Sequence, residues 1–286
     1  MRFLALAFLC GSLALAAERA VDPTFLHRHL PDVKAQPADI TSLGCTYKPL
    51  FGAGDSGSDI VKGVARYGEI TVEPGGASEL VSYPREEQIY VILEGEGVLH
   101  YGDGKHPVRR HDFMYLPPGV RHGLSNTSGK PCRAIAMGFK IPANIKLDPP
   151  GELQVANIDE VKKQVVGNHP PSTLYQLLMG DVSSKRDRIA AGRILTSLFV
   201  MEFAPGGTNF PHHHDREEEI YLLLEGEGEM VAGGGAEGVE GRRKAKPGDA
   251  YFYRLNATVG FYNSDAPGTK TARILAIRSL YPFRSR

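Results

Sequence analysis

Three side chains in the second half of the chain have the types and spacing to hold a metal ion. They lie in PHHHDREEEIYLLLEGEGEM, residues 211–230. On an extended segment, residues i and i+2 share a face, so His212 and His214 project together while His213 points away. Two imidazoles and a carboxylate are a donor set for a divalent transition metal. Three glutamates follow, Glu217, Glu218 and Glu219, and spacing alone does not choose among them.

An internal repeat makes the choice. Residues 70–99 align with 201–230 at a constant offset of 131, from Ile70 to Met201. Pro74-Gly75-Gly76 falls on Pro205-Gly206-Gly207, and LEGEG at 93–97 falls on LEGEG at 224–228. His212, His214 and Glu219 fall on Val81, Tyr83 and Gln88, whereas Glu217 and Glu218 fall on Glu86 and Glu87. Both same-face histidines and one acid are therefore missing together from the first copy, as ligands of one ion would be. Further on, residues 111–126 match 248–263 at an offset of 137, from His111 to Gly248. The difference is absorbed by the Gly-rich stretch VAGGGAEGVEG.

The elements that must position these residues read as strands. Short apolar runs, Val91 to Leu93 and Leu222 to Leu224, end in Gly-Glu-Gly, the signature of a hairpin-like turn. Turn residues recur every 8–12 positions or so, as in barrels and sandwiches. The pattern predicts an all-β protein: a leader at 1–17, a first domain at 18–145, a linker at 146–180 and a second domain at 181–286. Within the linker, Ile158 to Val166 reads as a short helix capped by Asn157.

The pattern Gly206-x5-His212-x-His214-x4-Glu219-x6-Gly226 resembles the first motif of the cupin superfamily. The second motif is matched more loosely. Gly248 and Asn263 stand, but Arg254, Asn256 and Val259 occupy the positions of its proline, its glycine and its fourth ligand, a histidine. The first copy reverses this: Pro117, Gly119, His122 and Asn126 keep the second motif while the ligands of the first are lost. The resemblance spans about residues 60–140 and 190–280 and implies a bicupin, two tandem double-stranded β-helix barrels of the jelly-roll type. It implies one divalent metal on His212, His214 and Glu219, with iron, manganese or zinc favoured and nickel or copper compatible. It further implies a metal-dependent oxidoreductase of dioxygenase type acting on a small oxygen-bearing substrate. The alternatives are a hydrolase or decarboxylase, like ureidoglycine aminohydrolase or oxalate decarboxylase, and a barrel that only binds a small molecule. No side chain is singled out as a proton donor. Edge strands of tandem cupin barrels commonly pair, which allows a homodimer.

The remaining features bound this reading. Lys+Arg and Asp+Glu both total 33, so no basic surplus points to nucleic acid or an anionic membrane. MRFLALAFLCGSLALAA reads as an export signal with a positive start, an apolar stretch too short to span, and a small-residue cleavage site. The mature protein is expected outside the cytoplasm, without a membrane span. Cys45 and Cys132 then remain, and an oxidising compartment leaves a bridge between them open. His122 is expected to hydrogen-bond Tyr83 or Gln88 in a barrel without metal. His27 and His29 suggest a surface or interdomain role, and His169 a solvated place in the linker. Glu217 and Glu218 read as a solvated strand entrance, with support of the metal site open to Glu218. Tyr221, Tyr251, Tyr253 and Phe261 read as core, and Arg242 to Lys244 as a solvated basic run.

Overall fold

The computed structural model describes residues 24–234 and 241–281, so the expected leader lies outside the described residues. The first repeat contributes β1 (Phe25–His29), β2 (Cys45–Gly52), β3 (Val64–Val72), β4 (Glu86–Glu94) and β5 (Glu96–Tyr101). It continues with β6 (Gly104–Arg109), β7 (Asp112–Leu116), β8 (His122–Ser125) and β9 (Cys132–Lys140). The second repeat contributes β10 (Gln154–Asn157), β11 (Lys163–Gln164), β12 (Thr173–Asp181), β13 (Ile189–Gly192), β14 (Leu195–Phe203) and β15 (Glu217–Glu225). It ends with β16 (Gly228–Gly233), β17 (Gly241–Ala245), β18 (Asp249–Tyr253), β19 (Thr258–Asn263) and β20 (Ala272–Leu280).

Each repeat forms a barrel from one large and one small sheet. In the first, β10-β7-β4-β9-β3-β2 closes over β6-β5-β8. In the second, β1-β18-β15-β20-β14-β12-β11, with β13 beside β12, closes over β17-β16-β19. Side-chain alternation explains the uninterrupted apolar runs of the sequence. In β4, Tyr90 and Ile92 point into the first barrel, while Ile89 and Val91 join a cluster shared with the second. In β15, Tyr221 and Leu223 fill the second barrel, and Ile220 and Leu222 enter the shared cluster. The large sheets pack back to back, as with the Phe51 and Phe252 rings at 5.9 Å, so their strands are buried on both faces.

Four local readings are resolved by the structure. β4 bonds β7 and β9 whereas β5 bonds β6 and β8, so Gly95 turns the chain from one sheet to the other and closes no hairpin. Gly95 has φ 76°, and a Cβ there would meet the Pro131 carbonyl oxygen at 2.3 Å. The expected helix is a single 3-10 turn, Ile158–Glu160, although the Asn157 side chain does cap it by accepting from the Asp159 amide at 3.0 Å. Val161 is already extended and β11 pairs with β12, so the helix cannot continue. Cys45 and Cys132 are both buried free thiols. They flank Val72 from the two strands beside it, which puts their backbones about 9–10 Å apart, beyond bridging range. Arg242 to Lys244 form part of β17, where Arg242 and Lys244 are exposed as expected, while Arg242 lies over the Tyr262 ring and Arg243 over Phe25.

The segment read as a linker carries structure of its own. β10 pairs antiparallel with β7, matching Asn157 to Asp112, while β1 pairs with β18, matching His29 to Asp249. Each repeat thus sends its leading strand into the other repeat's sheet. His27 Nε2 and His29 Nδ1 both meet Asp249 Oδ1, at 3.0 and 2.9 Å, which gives this pair the interdomain role.

Candidate metal centre

The chain enters β15 through a kinked approach. Phe210 has φ 53°, a left-handed conformation that is rare for a bulky residue. This turn aims its carbonyl at His212 Nδ1, 2.8 Å away. His212 then forms an isolated bridge with Val259, through hydrogen bonds of 3.0 and 2.8 Å. His214 is held by its carbonyl, which accepts from the Asn256 amide at 2.8 Å. So the two histidines sit on a bridged lead-in, not on a regular strand, but His213 is exposed as alternation requires. Glu219 lies in β15, paired to Arg278 of β20 and Tyr253 of β18.

His212, His214 and Glu219 converge, with one ligand atom from each within 4.8 Å of the others. With its Nδ1 on the Phe210 carbonyl, His212 has Nε2 available, the arrangement usual for a metal-bound imidazole. His214 Nε2 and Glu219 Oε2 are buried and stand 3.3 Å apart as an ion pair without hydrogen-bond geometry, so neither has a hydrogen-bond partner. Buried polar atoms are rarely left so, and a cation between them would satisfy both. Burial pushes the Glu219 carboxyl up, but His214, Arg278 and His212 outweigh it and hold it below the usual carboxylate range. The donor set therefore fits a divalent metal.

The other acids separate by direction. Glu217 is half-buried, accepts from Arg278 at 3.4 Å and faces His214 Nδ1 at 3.7 Å. Glu218 is not solvated. It is buried against the first barrel, where its Oε2 accepts from the Gly63 amide at 3.0 Å, and burial pushes its carboxyl up to about 7. Tyr221, Tyr251, Tyr253 and Phe261 are buried core, as expected. A cavity of about 110 Å³ opens beside the three ligands. His169 lines it, with its ring centroid 5.8 Å from that of His212, which corrects the solvated placement. Sequence reasoning missed His169 because the residues around it carry no apolar period and no repeat.

Among the described residues, the first barrel has no such centre. His122 is 1% exposed, bridged to Val81, and its Nδ1 meets the Val120 carbonyl at 3.0 Å. The expected hydrogen bond to Tyr83 or Gln88 is absent. Instead the ring packs against Tyr83 and Tyr90, at 5.8 and 5.6 Å. Arg66 is buried beside them, 4.0 Å from the Tyr83 ring and 2.8 Å from Asp39.

Comparisons with known proteins agree with this architecture. The cupin domain description matches residues 68–138 and 199–278. An uncharacterized protein of Methanocaldococcus jannaschii is 30% identical over 82 residues, which are 28% of this chain and 66% of that protein. The structure of a protein described as glyoxylate-induced, from Pseudomonas aeruginosa, superposes with TM-score 0.71 at 18% identity, covering 94% of both chains. A Bacillus subtilis oxalate decarboxylase superposes with TM-score 0.65 at 12% identity, covering 92% of this chain and 78% of that one. Ylba from E. coli gives 0.64 at 14% identity, covering 92% and 94%. At these identities the structural likenesses establish the fold alone. Among the described residues, no helix is long and apolar enough to cross a membrane.

Proposed function

Since the chain belongs to the cupin family through both of its barrels, we propose that it is an exported metal-dependent oxidoreductase of dioxygenase type. The reading is carried by one observation: the convergence of His212, His214 and Glu219 within 4.8 Å beside a cavity. A divalent metal held there by three protein ligands supplies a Lewis acid with positions left for a small oxygen-bearing substrate.

The chain's own residues do the rest. The Phe210 carbonyl fixes the His212 ring, so its free nitrogen faces the cavity side. His214, at 3.3 Å, and then Arg278, 3.9 Å from Glu219 Oε1, hold the carboxyl below its usual range. The Tyr175 and Phe199 rings, 5.7 Å apart, line the cavity with apolar surface that limits water and favours a small, partly apolar molecule.

Elemental analysis tests this directly. Wild-type protein dialysed against iron, manganese or zinc should retain about one metal per chain, and His212→Ala should retain none. Iron- or manganese-dependent oxygen uptake with a diphenol, flavonol or diketone panel would support the reaction class. Wild type that stays metal-free would sink the proposal.

A further inference from the structure

We infer that His169 is a third imidazole ligand of the metal, supplied by the segment that precedes β12; the inference rests on the metal-site reading above. Its position is the first argument. His169 lines the same cavity as His212, His214 and Glu219, although it lies more than forty residues upstream of them. Turns hold it there: its amide donates to the Val166 carbonyl at 3.2 Å, and the Thr173 amide donates to Pro170 at 3.0 Å.

The second argument is what the barrel lacks. The residue bridged to His212 is Val259, 1% exposed, and an isopropyl group offers no lone pair. The barrel wall therefore gives three donors and leaves one side of the site to be supplied from elsewhere.

Distance is the third. Two imidazoles on one ion, with metal–nitrogen bonds near 2.1 Å, place their ring centroids roughly 4.5–5.5 Å apart. His212 and His214 stand at 5.0 Å, inside that range, and His169 and His212 at 5.8 Å, just beyond it. The ligand atoms of His169 are not within 4.8 Å of all three of the others, so its half-buried ring must move toward them to join the same ion. Its ring is also held against Tyr175, with centroids 5.2 Å apart.

The two repeats agree on the use of this segment. Cys45 pairs with Val72 as Thr173 pairs with Phe203, so residues 33–44 of the first repeat correspond to 161–172 of the second. In the first repeat that stretch delivers Asp39 to Arg66, a buried cation. In the second it delivers His169 to a site built for a cation.

The test counts nitrogens. Chelator-stripped protein is loaded with one equivalent of Cu(II), imidazole nitrogens are counted by pulsed electron paramagnetic resonance, and zinc affinity is measured by competition. Wild type should show three imidazoles, and His169→Ala and His169→Phe two. Zinc affinity should fall in both variants by at least the roughly 10–100-fold that loss of a ligand's supporting partner costs. His169→Phe keeps a ring against Tyr175 without a donor atom, so normal affinity in that variant alone would assign His169 a packing role and overturn the inference. Unchanged affinity in both variants, with metal lost in His212→Ala, also overturns it and leaves the three-ligand site standing. Copper and zinc bound equally by wild type and His212→Ala would overturn the site and the inference together.

Discussion

The same backbone bridge occurs once in each barrel with its residues exchanged. In the first barrel Val81 faces His122, and in the second His212 faces Val259. Each position that holds a histidine in one barrel holds a valine in the other, and the consequences diverge. In the second barrel His212 joins His214 and Glu219 beside a cavity. In the first, Gln88 replaces the acid and donates to Glu86 at 2.8 Å, so the pocket is turned inward on itself. Arg66 completes the closure. It stands on β3 where β14 has Ser197, a residue that lines the second barrel's cavity. Its guanidinium reaches Asp39 at 2.8 Å and Glu86 at 3.8 Å. One barrel carries its internal cation as a side chain, and the other presents lone pairs for an external one.

The inter-barrel glutamates offer the largest way to break this comparison. Glu87 and Glu218 are repeat equivalents, and each reaches into the other repeat. Glu87 accepts from the Arg193, Ile194 and Leu195 amides at 2.7, 2.8 and 2.6 Å, and from the Tyr115 hydroxyl at 2.9 Å. Glu218 accepts from the Gly63 amide at 3.0 Å, and its Oε1 has no hydrogen-bond partner. Glu87→Ala should cost about 3–5 kcal/mol, because it leaves three buried donors and one part-buried donor unpaired. Glu218→Ala should cost less, about 1–3 kcal/mol. Thermal unfolding of the two variants checks this, and equal drops in Tm would show that the two contacts are not ranked by their donors.

What was legible in the sequence was whatever repeats within a barrel. The 131-residue offset paired β4 with β15 and isolated Glu219 from its neighbours, because both barrels keep the same turns and apolar runs there. The leading strands were not legible. FLHRH and QVAN share no residues, and their partners lie 39 or more positions away, so no local pattern marks their exchange. Glu218 misled for the same reason: a charged residue at a strand start normally faces water, and only the opposite barrel shows why this one does not. His169 needed the cavity itself. Its segment is extended and irregular, and it reaches the site only through the barrel it covers.

A pH titration sharpens the comparison next. Burial, with Arg66 adding to it, pushes the His122 imidazole down to about 4 from its ordinary 6.5. Between these values the unfolded chain binds the proton and the folded barrel does not, so stability rises with pH across that window and is lost on acidification. The difference corresponds to about 3 kcal/mol at pH 4 and below. His122→Leu removes the titrating group and keeps an apolar side chain beside Tyr83 and Tyr90. Its Tm should fall less than that of wild type between pH 6.5 and 4. Parallel curves would show that His122 charges freely in the folded barrel.

The smallest effect concerns the exchanged strands, whose last residues do equivalent work with different chemistry. Asn157 Nδ2 donates to Asp112 Oδ1 at 2.8 Å, and its side-chain oxygen accepts from the Asp159 amide. His29 Nδ1 meets Asp249 Oδ1 at 2.9 Å, and no side chain caps the turn that follows it. Asn157 Nδ2 also donates to the Arg110 carbonyl at 3.1 Å, so Asn157 serves three contacts where His29 serves one, although His27 adds a second hold on Asp249. Asn157→Ala should cost about 1–2 kcal/mol, the sum expected for a cap and a buried side-chain hydrogen bond. His29→Ala should cost about 1 kcal/mol or less, because Asp249 still has His27 and the Lys246 amide, the latter at 2.8 Å. His29→Asn, which copies the first barrel's solution, should recover part of that loss. Thermal melts of the three variants decide the order, and a greater loss in His29→Ala than in Asn157→Ala would mean that β1 is the more strongly anchored strand.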